Sequence, residues 1–133
     1  MEFFRSVEIE ISEAELCSRL ALKELNSFNS SLLLIDEPND HHVRTGGIWG
    51  EFTLTRDPIA GGVRFALKEC PNALSWTVTT GFPPEPEKVV IHLTINRKEK
   101  DPAFIEELEE FLEDFAEGIT TFLTTKNPVL TQD

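Results

Sequence analysis

Tyrosine is absent from this chain, histidine occurs three times and cysteine twice. Few side chains are left to relay protons or attack an electrophile near neutral pH. Cys17 and Cys70 stand far apart with no short spacing, which excludes a zinc ribbon and a disulfide framework. At 133 residues the chain buries a core without such staples, so a reducing compartment is expected. Long apolar runs are missing as well. The longest, Leu32–Ile35, falls far short of a bilayer span, and Met1-Glu2-Phe3-Phe4-Arg5 lacks a basic region followed by an apolar one. The expectation is a cytoplasmic protein. Positive charge is scarce too, with 12 Lys and Arg against 24 Asp and Glu. A net charge of −12 repels nucleic acid and anionic membrane, since both need cations to release counterions. The expected counterpart is a basic protein surface, a cation or plain solvent. Without repeats, linkers or low-complexity stretches, residues 1–133 read as one α+β domain.

What the chain has is a strongly divided segment at Asp101–Thr125. At 100° per residue, Phe104, Ile105, Leu108, Phe111, Leu112, Phe115, Ile119, Phe122 and Leu123 form one stripe. Glu106, Glu107, Glu109, Glu110, Glu113, Asp114 and Glu117 take the opposite face, with no Lys or Arg between Asp101 and Glu117. Asp101-Pro102 offers an N-cap with proline at the first helical position, and Asn127-Pro128 ends the pattern. Like charges at i,i+4 cost about 0.2–0.5 kcal/mol per pair. Nine large apolar side chains at about 1.5–3 kcal/mol each outweigh them. The helix therefore forms despite its charge. The acidic face serves either solubility or the docking of a basic partner.

Elsewhere the period is two. Val7–Ile11 alternates and reads as a strand, and Ser12-Glu13-Ala14-Glu15 matches a capping box opening a helix to about Asn26. Leu16, Cys17, Leu20 and Ala21 share its inner face, and Ser27–Ser31 breaks it. Further strands are expected at Leu32–Ile35, Ile48–Thr55, Val63–Lys68, Leu74–Thr79 and Val89–Asn96, with Asp36–His42 a polar loop. Asp57–Gly62 and Cys70–Ala73 are turns, and Gly81–Pro86 is too proline-rich for a ladder. The order β-α-β-β-β-β-β-α implies a two-layer sandwich. An antiparallel five- to six-stranded meander would carry an N-terminal and a long C-terminal helix on one face.

No motif names a reaction, and no catalytic, cofactor-binding or metal-ligating set is assigned. Asp36–His42 holds the metal-capable side chains, but adjacent His41 and His42 point opposite ways when extended. Gly46-Gly47-Ile48-Trp49-Gly50 precedes a strand and lacks the Gly-Lys-Ser/Thr ending of a phosphate loop. It reads instead as a bulged strand entrance. Glu8, Glu10, Glu51, Arg64, Lys68, Thr77, His92 and Asn96 are expected on the outer face of the sheet. Trp49 falls in phase with them, as an interface residue or beneath the Pro83–Pro86 loop.

The element order resembles the helix-grip architecture of START-like lipid-binding domains, in which a cavity between sheet and helix holds an apolar ligand. One break after the first helix replaces the second helix usual there. Size and acidity also resemble secretion-chaperone-type α/β domains, which begin instead with a helix. Two functions follow as expectations, both leaning away from enzymatic activity. The first is a protein-interaction or chaperone-like module using Glu106, Glu109, Glu110, Glu113, Glu117 and Trp49, with homo-oligomerisation open. The alternative is a carrier whose cavity is lined by Phe52, Phe65, Trp76, Phe111 and Phe115.

Overall fold

The computed structural model describes residues 1–96 and 101–124. Ten elements position everything that follows: β1 (Glu2–Val7), α1 (Glu13–Arg19), α2 (Leu25–Phe28), β2 (Leu32–Leu34), β3 (His42–Gly47), β4 (Gly50–Ile59), β5 (Gly62–Leu67), β6 (Ser75–Thr80), β7 (Val89–Thr94) and α3 (Pro102–Thr124). All seven strands join one antiparallel sheet in the order β1-β7-β6-β5-β4-β3-β2. The meander expected from the short turns is present from β2 to β7. The sheet has seven strands against the expected five or six because β3 is an additional member.

Each departure from the sequence pattern has a local cause. The alternation Val7–Ile11 reflects burial, with Val7 and Ile9 both in the core. The ladder nevertheless ends at Val7 opposite Val89, because the proline-rich segment before β7 offers no further partner. The strand proper is Glu2–Val7. Its Phe3-Phe4 pair hides the period: Phe3 packs against the core while Phe4 stacks on His92 across the outer face, ring centroids 4.3 Å apart.

The Ser12 hydroxyl accepts from the Glu15 amide at 3.1 Å, as a capping box requires. The helix then stops at Arg19 rather than near Asn26. Ala21 turns extended (φ −80, ψ 150), and the chain restarts as a 3-10 turn at Leu22–Glu24 and the short α2. A guanidinium from the sheet covers the break. Arg56 donates through Nε to the Leu20 carbonyl at 2.7 Å and through Nη2 to the Cys17 carbonyl. Two short helices thus stand where one was expected.

β3 occupies residues expected to be loop and bulge. Gly46 and Gly47 have little strand tendency of their own, but pairing with β2 on one side and β4 on the other holds them. The β3–β4 hairpin turns at Ile48-Trp49 and closes on Gly50, whose φ of +121 excludes most side chains. Ile48 and Trp49 are therefore turn residues, not strand residues. β4 continues through Pro58 to Ile59, later than the expected turn, with Asp57 opposite Arg64 and Pro58 opposite Val63.

α3 lies on the inner face with the polarity its sequence predicts. Leu108, Phe111, Leu112, Phe115, Ile119 and Leu123 are buried, and every acidic side chain of the opposite face is exposed. The Asp101 carboxylate accepts from the Ala103 amide at 3.0 Å, as an N-cap. The last turn is held by Arg19, which donates to the carbonyls of Leu123 (3.0 Å) and Phe122 (2.6 Å) and sits 4.9 Å over the Phe122 ring. The expected stop at Asn127-Pro128 lies outside the described residues. No described helix is long and apolar enough to cross a membrane.

Candidate functional site

The space between α3 and the sheet is occupied by aromatic rings in mutual contact. Phe65 stacks on Trp76 at 5.6 Å; Trp76 meets Phe111 at 5.1 Å and Phe115 at 5.8 Å; Phe111 and Phe115 stack at 6.4 Å. These four residues are no more than 3% exposed, while Phe52 is half-buried at the margin. Inside this layer the Trp76 Nε1–H has no hydrogen-bond partner among the described residues. An unpaired donor in such surroundings costs about 1–3 kcal/mol.

Trp49 leaves the outer face to which its phase assigned it. The hairpin turn swings its ring onto α3, 5.9 Å from Phe104 and 5.4 Å from Phe111, and Nε1 donates to Glu107 at 3.0 Å. Glu8 and Glu10 also leave the outer face, because the connection from β1 to α1 carries them beyond the sheet. Glu51, Arg64, Thr77 and His92 do share that face. The register sets Arg64 opposite Thr77 and Thr77 opposite His92, whose Nε2 lies 2.7 Å from Glu2. Arg44 draws Glu51 (3.1 Å) and Glu69 (3.2 Å) together there. Glu69 titrates below the ordinary carboxylate range, first because it accepts from the Thr53 amide and then because Arg44 is near. Arg44 is raised in turn, chiefly by its hydrogen bond with Glu51. This is a satisfied polar surface.

A larger opening borders α3 instead. A groove of about 640 Å³ runs between Arg5, Ser6, Val7 and Glu8 on one wall and Glu113, Ala116, Glu117, Thr120 and Thr121 on the other. Small side chains on this flank of α3 leave the room. Three carboxylates line it against one guanidinium, and that guanidinium is engaged: Arg5 Nε bonds Glu113 at 3.1 Å and Nη1 donates to the Phe4 carbonyl at 2.9 Å. Lys88 approaches Glu8 to 3.9 Å but sits closer to Glu85, at 3.0 Å. Glu85 is lowered below its usual range, first by the Ser6 hydroxyl and then by Lys88. The other exposed acids, Glu106, Glu109, Glu110, Asp114 and Glu117, form no ion pair among the described residues. A smaller cleft of about 270 Å³ lies at the break after α1, between Ser18, Lys23, Asn39, Asp40 and Arg56.

Of the expected interaction face, the structure brings Glu113 and Glu117 to one wall of the groove, leaves Glu106, Glu109 and Glu110 exposed nearer the N-terminus of α3 and outside its lining, and packs Trp49 against that N-terminal half. The pattern along the chain did not point to Arg5, Ser6, Thr120 or Thr121. Their one signal was the small residues Gly118, Thr120 and Thr121 flanking Ile119 in an otherwise bulky helix. Among the described residues, no group of three or more His, Cys, Asp or Glu side chains is placed to hold a metal ion.

No protein-family model and no curated protein matches this chain. Solved structures do. A START superfamily protein from Mycobacterium smegmatis is 14% identical with a TM-score of 0.59, covering 90% of this chain and 94% of that one. An uncharacterized protein from Bacillus thuringiensis is 9% identical with a TM-score of 0.56, covering 92% and 99%. The protein XoxI from Bacillus cereus is 12% identical with a TM-score of 0.58, covering 92% and 95%. With two short helices after β1, seven strands and a long C-terminal helix, the chain has the helix-grip fold of START-like proteins.

Proposed function

We propose that this chain is a non-enzymatic binding domain that captures a basic protein segment along the acidic flank of α3. The observation that carries this reading is the pairing of an open groove with unneutralised charge. Glu8, Glu113 and Glu117 line the groove; Arg5 pairs with Glu113 and Lys88 approaches Glu8, but Glu117 and four further carboxylates of α3, Glu106, Glu109, Glu110 and Asp114, form no ion pair among the described residues. Such a field draws a cationic partner and orients it before contact. A titration of a fluorescent Lys- and Arg-rich peptide, read by anisotropy, tests it. Saturable binding should weaken steeply with added salt and disappear when Glu109, Glu110 and Glu113 are changed to Lys. An unaltered isotherm for that triple variant would remove the acidic flank from the argument.

A second reading, the carrier of a small apolar ligand, is favoured by the unpaired Trp76 Nε1–H within the aromatic layer. A ligand with one carbonyl oxygen would satisfy that donor while replacing ring contacts. It requires α3 to open, because the layer is closed in this form. Trp76 emission should shift on addition of a neutral apolar ligand; no change up to the ligand's solubility limit sinks this reading.

A further inference from the structure

We propose that the basic segment binds as an added strand on the free edge of β1, an inference that rests on the acidic-flank reading above and specifies its geometry. Met1 and Ile95 exchange two hydrogen bonds, the Met1 ammonium donating to the Ile95 carbonyl at 3.2 Å and the Ile95 amide to the Met1 carbonyl at 3.1 Å. In an antiparallel ladder such mutual pairs recur at every second residue. Residues 3, 5 and 7 therefore bond toward β7 opposite Leu93, Ile91 and Val89, while the backbone groups of Glu2, Phe4 and Ser6 point away from the sheet. β1 is the terminal strand of the described sheet, so this row has no strand partner among the described residues.

The groove lies along the same edge. A strand laid beside β1 would turn alternate side chains toward α3, where Ala116, Thr120 and Thr121 leave space and Glu113 and Glu117 present carboxylates. The side chain of Arg5 already imitates such an occupant. It covers the Phe4 carbonyl with one nitrogen and engages Glu113 with another. Charged residues of this kind guard an open edge against indiscriminate pairing. Here the guard sits on the two kinds of group that an incoming basic strand would use, a backbone acceptor on the edge of β1 and a carboxylate on α3. Backbone bonding gives affinity and alternate side chains give selectivity, as in other strand additions. The preferred ligand is an extended, proline-free segment with Lys or Arg at every second position.

Peptides of about eight residues, alternating Lys and Val, span the 6 residues of β1 with a margin at each end. Two versions carry N-methyl groups on alternate amides, one set for each register face. Only one set can obstruct bonds to β1, so one version should lose about tenfold or more in affinity and the other bind like the parent. Arg5→Gln, checked by circular dichroism for an intact fold, should bind the parent peptide about three- to tenfold tighter, since it frees both acceptors. If both methylated versions bind like the parent, or both fail equally, strand addition is wrong while salt-sensitive capture on the acidic flank stands. If the parent peptide never saturates wild-type protein and the triple Lys variant changes nothing, the underlying reading fails and this one with it.

Discussion

Gly118 offers the sharpest check on how α3 is seated. A glycine inside a helix ordinarily costs about 1 kcal/mol relative to alanine, so Gly118→Ala would stabilise an isolated helix. Here a Cβ would lie 2.2 Å from the Phe28 carbonyl oxygen and 2.9 Å from its carbon, both backbone atoms that no rotamer can move aside. Carbon and oxygen rest comfortably at about 3.3–3.5 Å, so α2 and α3 must separate by roughly 1 Å. The interface so opened is the one where Phe28 meets Phe115 at 6.0 Å and Phe122 at 5.6 Å. A gap of about 0.5–1 Å forfeits about a quarter to a half of each dispersion contact it interrupts. Overpacking of this kind costs about 1–3 kcal/mol, and with Phe28 and Phe115 fully buried the upper part of that range applies. Net of the helix gain, Gly118→Ala should lose about 2 kcal/mol, or about 6–10 °C in Tm. Urea and thermal unfolding followed by circular dichroism measure it, with Glu110→Ala on the exposed face of α3 as the neutral comparison. An equal or higher midpoint for Gly118→Ala would show that α3 does not pack on α2 at this point.

Ser12→Ala removes the only side-chain acceptor capping α1 and should cost about 1 kcal/mol in urea unfolding, whereas Ser12→Asp should be close to neutral. Glu69 is depressed in the folded state, so its contribution to stability is complete above the ordinary glutamate value of 4.5 and is lost as pH falls through the folded value. Glu69→Gln keeps an acceptor for the Thr53 amide yet should flatten the acid limb of a stability–pH curve; a limb as steep as wild type would assign acid sensitivity elsewhere. Glu107→Ala deprives the Trp49 indole of its acceptor and should alter Trp49 emission while leaving the unfolding midpoint within about 0.5 kcal/mol.

Legibility followed the range of the forces involved. The stripe from Phe104 to Leu123 and the split between buried rings and exposed carboxylates were readable because both repeat within α3 itself. The strands from β4 to β7 were readable for the same reason, since each alternates over its own length. What escaped was decided by distant partners. The halt at Arg19 has no glycine or proline to announce it; it is sustained by Arg56, thirty-odd residues on, bonding the freed carbonyls. β3 owes its existence to neighbours on both sides rather than to Gly46-Gly47. The groove was illegible for a stronger reason. Arg5 and Glu113 are 108 positions apart, and nothing in either neighbourhood reveals that β1 will close the sheet beside the last helix. Trp49 was placed on the wrong side because a residue carried past the end of a strand loses the strand's phase.

The closure of β1 on β7 also sets a schedule for the chain's birth. During synthesis β1 must wait for a partner 94 positions later before its ladder can begin, and α3, made after every strand of the described sheet, supplies the lid over it. Until α3 emerges the apolar side of the meander stays uncovered, and β1 stays unpaired until β7 follows it. Long-range pairing of this sort is slow to form. Nascent chains arrested before residue 101 should therefore be protease-sensitive and should engage cellular holdases, whereas released full-length chains should quickly cease to do so.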